Sequence, residues 1–441
     1  MKRLLSLLLC AVLALFCATT AQAAGVSITL TASEYALHYA FDAGAQDPFV
    51  ILEYATPAEK GWMMLYSADG HFEGDVSLAY SGAGGKTSVA LTSARTTGSI
   101  GKASTTLPKA ADYQKPTGKS NAKVMDFVLT ETPEGFHYAF NAAGTDYMLL
   151  YWRSKEQTVT QPVYPDENGH YEGDVISNLT FARTQFTVQV KSGSGSMKKE
   201  ATVRKGYQAP EAPQRQEGRL SGVTVCIDAG HQENGRFVNE PIGPGLSGST
   251  SGKGGMAQGT KTNRRESIVC LEIGMLLRDE LLRQGANVIM TREDQTTFHT
   301  NIERCEIAEA GGAQIMLRLH CNNSSNHSKR GIQVYGPLNS DYAKAVADAD
   351  TYREMGQKLL DAMKTRVGMT LANSTGMVRL NDNYVGNNWA KMMCFLVEMG
   401  YLSNPAEEYL LVMPVYQQWL AEGMADGVYE IAVARGWVQA Q

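Results

Sequence analysis

Two kinds of hydrophobic spacing divide the chain. Up to about residue 205, apolar residues come in short runs such as Phe49-Val50-Ile51-Leu52 and Met148-Leu149-Leu150-Tyr151, separated by turn dipeptides such as Asp69-Gly70 and Asn168-Gly169. Short alternating runs closed by Gly after Asp or Asn predict strands joined by tight turns, without a helical period. From Leu220 onward the spacing changes. Residues 223–228, 286–291, 315–319 and 393–397 read as buried strands. Val269, Ile273, Leu276, Leu277 and Leu281 recur at three- and four-residue intervals, which predicts a helix over about 266–284 with Gly285 as its stop. Further helices are expected around Arg304, over 342–366 and over 414–435. Strands alternating with helices predict an α/β domain whose mostly parallel central sheet is flanked by helices.

The front half repeats itself. His38-Tyr39-Ala40-Phe41 recurs as His137-Tyr138-Ala139-Phe140, and His71-Phe72-Glu73-Gly74-Asp75-Val76 as His170-Tyr171-Glu172-Gly173-Asp174-Val175, both at an offset of 99 residues. Equal offsets imply no insertion between these landmarks. Two tandem all-β sandwich modules, immunoglobulin-like or fibronectin-like, are expected at 24–107 and 122–205. A proline-bearing linker over 206–219 would join them to a catalytic domain over 220–441. His71 and Glu73 share one strand face, which raises a metal reading. Turn geometry and cross-strand hydrogen bonding are the ordinary role of such residues, and neither copy adds a third ligand at close spacing.

Residues 1–23 open with Lys2 and Arg3, continue through an apolar run from Leu4 to Cys17 and end in Ala21-Gln22-Ala23, the pattern of a cleaved signal peptide. The run is about 14 residues against the ~20 needed to span a bilayer. A secreted protein is expected, cell-wall associated or periplasmic, with no stable membrane insertion after cleavage. At 43% hydrophobic and 19% charged residues, the composition excludes a disordered chain. The net charge of −5, or −7 once Lys2 and Arg3 leave with the leader, argues against nucleic acid as a partner. Five mature cysteines remain (Cys226, Cys270, Cys305, Cys321, Cys394). Buried thiols are the default reading, and sequence does not assign a disulfide among them.

The candidate chemistry lies in the second half. His231 and His320 each follow a buried strand at its carboxyl edge, Glu398 ends the strand 393–397, and Glu266 opens the helix. Ligands of open α/β sheets bind at that edge. Two neutral imidazoles with one carboxylate make a three-ligand zinc set that leaves a position for water, and the fourth residue, the remaining acid, would then be the base.

The segments VCIDAGHQ, NRRESIVCLEIGMLLRDELLRQGANVIMTR, IERCEIAEAGGAQIMLRLHCNNSSN and FLVEMGYLSN resemble, in order and spacing, the zinc-dependent N-acetylmuramoyl-L-alanine amidases of bacterial cell walls, over about residues 220–437. Ala229, Gln232 and Tyr401 depart from the commonest residues of those motifs. The resemblance implies that zinc is held by His231, Glu266 and His320, that Glu398 is the catalytic acid/base, and that the substrate is peptidoglycan, cut between N-acetylmuramic acid and L-alanine. A wall-binding protein with an inactive amidase-like domain, or a zinc peptidoglycan peptidase, stands as the alternative. The Gly-rich stretch 232–263 is expected to be a mobile excursion or a wall of the substrate groove, with Lys253, Lys261, Arg264 and Arg265 meeting stem-peptide carboxylates. Arg292 and Arg304 are expected to pair internally. The β modules would serve wall targeting or regulation, and the oligomeric state is not encoded legibly.

Overall fold

The computed structural model describes residues 19–22, 25–115, 123–132, 135–143, 145, 147–154, 157–176, 185–191, 197–204, 210–232, 238–250, 255–262, 264–367 and 377–440. The chain divides into two units, Met1–Gly206 and Tyr207–Gln441. The expected leader lies outside the described residues through residue 18. Thr19–Gln22 runs antiparallel to Ser27–Ala32.

In the first copy of the repeat, Ser27–Ala32, Ala36–Asp42 and His71–Ser77 pair in one sheet, while Glu59–Tyr66, Phe49–Ala55, Gly85–Ser93 and Ser99–Leu107 pair in another. The second copy repeats this order. Side chains alternate between the two faces of a strand, so every second residue, such as Leu37, Tyr39 and Phe41, reaches a core shared with Leu52, Val89 and Leu91 of the other sheet. Gly70 and Gly169, at φ 82° and 78°, occupy the left-handed positions that the Asp-Gly and Asn-Gly dipeptides predict.

The two copies are joined edge to edge. Gln157, Thr158 and Val159 pair antiparallel with Gly61, Lys60 and Glu59, so the larger sheets continue as one eight-stranded sheet among the described residues. The buried Glu59 carboxylate sits at this seam. It accepts from Tyr80 N (2.9 Å), Ser81 Oγ (2.9 Å) and, across the seam, Gln157 Nε2 (3.0 Å). Register also corrects the expected insertion-free correspondence. Leu52 lies opposite Leu91, and its counterpart Leu150 lies opposite Val190, so the central hairpin matches at an offset of 98 while the strand facing it keeps 99. A deletion before the hairpin and an insertion after it cancel, and inward-facing parity is kept.

The second unit is built on a six-stranded sheet in the order Asn287–Met290, Thr224–Ala229, Ile315–Asn322, Met393–Tyr401, Gln333–Gly336, Met377–Leu380. The first four are parallel. Gln333–Gly336 runs antiparallel to Met393–Tyr401, so the sheet is mixed at one side. The helix Pro414–Ala434 packs on both Glu266–Arg283 and Ala349–Val367. One helix is expected over 342–366, but two form, Asp341–Val346 and Ala349–Val367. Ala347 is extended at φ −167°, and Asp348 restarts the helix by accepting Thr351 N at 2.7 Å. Residues of the expected linker lie against this unit, where Arg215 Nη1 donates to Gly285 O (2.9 Å) and Pro210 O accepts from Arg278 Nη2 (3.0 Å). Cys226, Cys270, Cys305, Cys321 and Cys394 are free and buried.

Candidate metal centre

Parallel register aligns the carboxyl ends of the three central strands. Ala229 pairs with Leu319, and His320 pairs with Glu398, so the residues emerging from these strands share one rim. The chain turns sharply after Ala229. Gly230 N donates to Leu319 O at 2.9 Å, and a Cβ at residue 230 would stand 2.4 Å from that oxygen and 2.6 Å from His320 Cε1. Only glycine fits there, and the turn carries the chain into a left-handed His231, φ 56°. That conformation is uncommon for a residue with a Cβ and persists where neighbours enforce it.

Glu266 is the first residue of the helix Glu266–Arg283, where the positive end of the helix dipole favours a carboxylate. Its two oxygens face different imidazoles. Oε2 lies 3.2 Å from His231 Nε2 and accepts from Ala257 N at 2.7 Å, while Oε1 lies 3.0 Å from His320 Nδ1 and accepts from Cys321 N at 3.0 Å. One ligand atom from each of His231, Glu266 and His320 falls within 4.8 Å of the others. The two rings stand at 79° with centroids 4.9 Å apart. Two imidazole nitrogens and a carboxylate oxygen so disposed are the donor set of a borderline divalent metal.

Burial holds the His320 imidazole below its usual range, ahead of the opposing hydrogen bond to Glu266, and a metal ligand must be neutral in this way. Burial alone would raise the Glu266 carboxyl, but hydrogen bonds with both histidines outweigh it and keep Glu266 well below the ordinary carboxylate range. Glu398 has the opposite balance. Burial, and then the nearby negative charge of Glu266, push it well above its usual value, and its Oε2 is buried without a hydrogen-bond partner. An orphaned carboxylate oxygen in a native site calls for an ion, water or ligand. His231, His320 and Glu398 line one cleft of about 420 Å³ together with Phe298, Asn301 and Tyr384.

A buried charge web holds the rim from behind. Asp228 is fully buried and accepts from Thr291 Oγ1 (2.8 Å), Arg318 Nε (2.9 Å) and Arg304 Nη1. Burial by itself would raise its carboxyl, but Arg304 and Arg318 drive it far below the usual range. Arg304 also donates to Ala229 O (3.0 Å) and His231 O (3.3 Å), and Arg292 donates to Ala229 O (2.7 Å) and Gly230 O (2.8 Å). Every carbonyl from Ala229 to His231 is therefore held by a guanidinium. Arg292 and Arg304 are internal, as expected from sequence. The roles of Asp228 and Arg318 were not anticipated, although a charged residue inside each of two apolar strands was the available signal.

The stretch 232–263 is more ordered than a structureless excursion where it is described. Glu240–Pro241 and Ser249–Thr250 pair, and the buried Glu240 carboxylate caps the helix Asn301–Ala310 through Asn301 Nδ2 (2.7 Å) and Ile302 N (2.8 Å). Glu408 fixes the other end through Lys261 N (2.9 Å) and Thr260 Oγ1 (2.9 Å). Arg264 does not face a substrate. It is buried and ion-paired with Glu272, whereas Arg265 is exposed and Lys253 lies outside the described residues.

Residues 225–430 match the family model described as N-acetylmuramoyl-L-alanine amidase. Among curated relatives, a germination-specific N-acetylmuramoyl-L-alanine amidase of Bacillus subtilis (strain 168) is 26% identical over 231 residues, covering 49% of this chain and 83% of its own. The probable cell wall amidase LytH of Staphylococcus aureus is 27% identical over 218 residues, covering 48% of this chain but only 60% of its own length. The solved N-acetylmuramoyl-L-alanine amidase of Clostridium difficile 630 overlays 48% of this chain and 96% of its own, with 24% identity and a TM-score of 0.38.

Proposed function

We propose that the chain, through the cell-wall amidase domain of type 3 carried by residues 225–430, is a secreted zinc-dependent peptidoglycan hydrolase. The bond cut is the amide between N-acetylmuramic acid and L-alanine. One observation carries the reading: two imidazoles and a carboxylate converge within 4.8 Å on a rim where a second acid, Glu398, lines the same cleft with an unpartnered oxygen. His231, Glu266 and His320 would hold the zinc.

Zinc so held would supply a Lewis acid for the scissile carbonyl and would lower the pKa of water beside it from about 15.7 to near 7. Glu398 does the proton work. Near a dication its carboxyl is drawn back toward the ionised form, so it can take a proton from the attacking water. As the carbon–nitrogen bond breaks, Glu398 returns that proton to the departing amine of L-alanine, a general acid/base cycle that leaves the residue unchanged. Gly230 and the guanidiniums of Arg292 and Arg304 keep His231 pointed at the site. Glu266 contributes its carboxylate already ionised, because both imidazoles and two backbone N–H groups favour the charged form.

The strand order of each front copy, three strands in one sheet, joined in the first copy by Thr19–Gln22, and four in the other around a shared core, supports the immunoglobulin-like or fibronectin-like reading of the β modules. We assign them to wall targeting or regulation. The leader supports a secreted, cell-wall associated or periplasmic location. Glu398→Gln keeps the size and the zinc ligands, so it should retain metal by elemental analysis. Release of stem peptide from purified wall should fall by about 10²- to 10⁴-fold. Undiminished release would remove Glu398 from the mechanism. A new amino terminus on L-alanine with intact glycan identifies an amidase, whereas cuts between stem residues identify a peptidase, and no cut by the wild-type chain leaves a binding protein.

A further inference from the structure

The β modules carry a histidine–carboxylate cluster that the proposed hydrolysis does not use. In the first copy Ala36–Asp42 and His71–Ser77 are antiparallel neighbours, with His38 opposite Asp75, Ala40 opposite Glu73 and Asp42 opposite His71. All six point outward. His38 Nδ1 lies 3.1 Å from Asp75 Oδ1, and its Nε2 lies 3.4 Å from Glu73 Oε1. His71 mirrors it, with Nδ1 at 2.7 Å from Asp42 Oδ1 and Nε2 at 3.8 Å from Glu73 Oε2. Glu73 is thus bracketed by two Nε2 atoms whose rings are each oriented from behind by an acid.

The second copy repeats the arrangement. His137 Nδ1 lies 2.9 Å from Asp174 Oδ1 and its Nε2 lies 3.1 Å from Glu172 Oε1. His170 Nε2 lies 3.8 Å from Glu172 Oε2, and its Nδ1 is 2.8 Å from Asn141 Oδ1. Outward-facing residues without a packing role are free to drift between duplicated copies. On the opposite sheet the exposed Lys86 and Ser88 and the half-buried Ala90 and Thr92 stand where the second copy has Gln185, Thr187, Gln189 and Lys191. On this face His38, Ala40, His71, Glu73 and Asp75 are unchanged, and Asp42 became Asn141, which still offers an oxygen to the ring. Retained exposed polar residues point to binding.

Hydrogen bonding narrows what the clusters bind. A neutral imidazole that donates Nδ1–H to Asp75 or Asp42 turns a lone pair, not a hydrogen, toward the Glu73 carboxylate. Lone pair and carboxylate repel unless a cation lies between them, either the second ring proton of an imidazolium or a metal ion. Each outer ring bonded to an acid or amide oxygen is also the arrangement that orients histidine toward a metal. Asp42, Glu73 and Asp75 place three negative charges around two imidazoles, which a dication offsets.

We propose that each β module binds a divalent zinc-class metal ion through His38, Glu73 and His71 in the first copy and His137, Glu172 and His170 in the second. The brackets are more open than the catalytic-domain cluster, and closure on an ion needs only rotation of exposed side chains. The sites are independent of the hydrolytic one. The test is zinc stoichiometry and affinity of the full chain against a chromogenic competing chelator, with elemental analysis after gel filtration. Three equivalents are expected in the wild type and one in the His38→Ala/His137→Ala double variant, with affinity at each module lowered at least ~10-fold. The His71→Asn/His170→Asn pair should behave alike, while His231→Ala should lose the remaining equivalent and keep the module two. These histidines are surface residues, and unchanged circular dichroism checks the fold. One equivalent in the wild type, or a double variant that loses none or only one, would overturn the proposal and leave protons as the cations of these clusters.

Discussion

Replacing Asp228 by Asn tests whether the charge web behind the rim is as consequential as its geometry indicates. Asp228 is completely buried, and its partners Arg304 and Arg318 are 4% and 3% exposed, so neither guanidinium can turn to water when the carboxylate loses its charge. Breaking a buried pair by removing one partner costs about 3–5 kcal/mol. Asn keeps one acceptor oxygen, which places the expected loss near the lower end, at about 3 kcal/mol. With a urea slope of about 3 kcal/mol/M for a domain of this size, the unfolding midpoint should fall by about 1 M. The pH dependence has a definite sign. The two arginines overcome the effect of burial and depress the folded-state pKa of Asp228, so its contribution is complete above the unfolded value of about 3.9 and is lost as pH falls below it. The gap between wild type and variant should therefore be level from pH 5 to 8 and shrink on acidification. Because Arg304 also holds His231 O, zinc affinity should fall by ~10- to 100-fold. A midpoint shift under about 0.3 M, or a gap that widens in acid, would refute the reasoning.

Gly230→Ala should displace the His320 ring or the strand beside it, costing about 1–3 kcal/mol and weakening zinc retention, read by thermal denaturation and elemental analysis of the same sample. Unchanged stability together with unchanged metal content would show that the turn has slack. Burial raises the Glu407 carboxyl to about 7, against the backbone N–H groups of Tyr401 and Gly331 that favour its ionised form. A raised folded-state pKa means this group costs stability increasingly as pH climbs from about 4.5 to 7. The cost is complete above that range and amounts to roughly 3 kcal/mol at 1.36 kcal/mol per unit. Glu407→Gln should remove that slope, so the wild-type stability relative to the variant should be better at pH 5 than at pH 8. An identical difference at both values would contradict it.

Sequence spacing located the four candidate site residues because each sits where an apolar run or a helical period begins or ends, and such limits are what hydrophobic patterns mark. His231, His320 and Glu398 follow apolar runs, although the strands Ile315–Asn322 and Met393–Tyr401 continue past His320 and Glu398, and Glu266 opens a helix. It did not reveal which strand lies beside which, because pairing is settled by backbone groups that every residue carries. The seam between Glu59–Tyr66 and Gln157–Val163 has no side-chain signature apart from a buried Glu and Gln that are unremarkable in a list of residues. The charge web was half legible. Arg304 lies on a predicted helix, whereas Arg318 inside an apolar strand makes sense only beside Asp228, its neighbour in register. Of the module clusters, sequence offered only His71 and Glu73 on one strand face, because His38 is far from them in the chain and comes beside Glu73 only through the antiparallel pairing of their strands. The split at Ala347 was missed because Asp348 acts through a local cap that leaves helical periodicity intact.

The seam has a consequence for how this chain can be shortened or inherited. Excising either front copy would strip a neighbour from Glu59–Tyr66 or from Gln157–Val163 and bare a row of backbone donors and acceptors, a template for self-association between truncated molecules. It would also leave the Glu59 carboxylate without the Gln157 amide. The duplication is thus locked in: deletions that remain soluble should remove both copies together, and boundaries drawn between them should yield aggregates instead of a half-length unit.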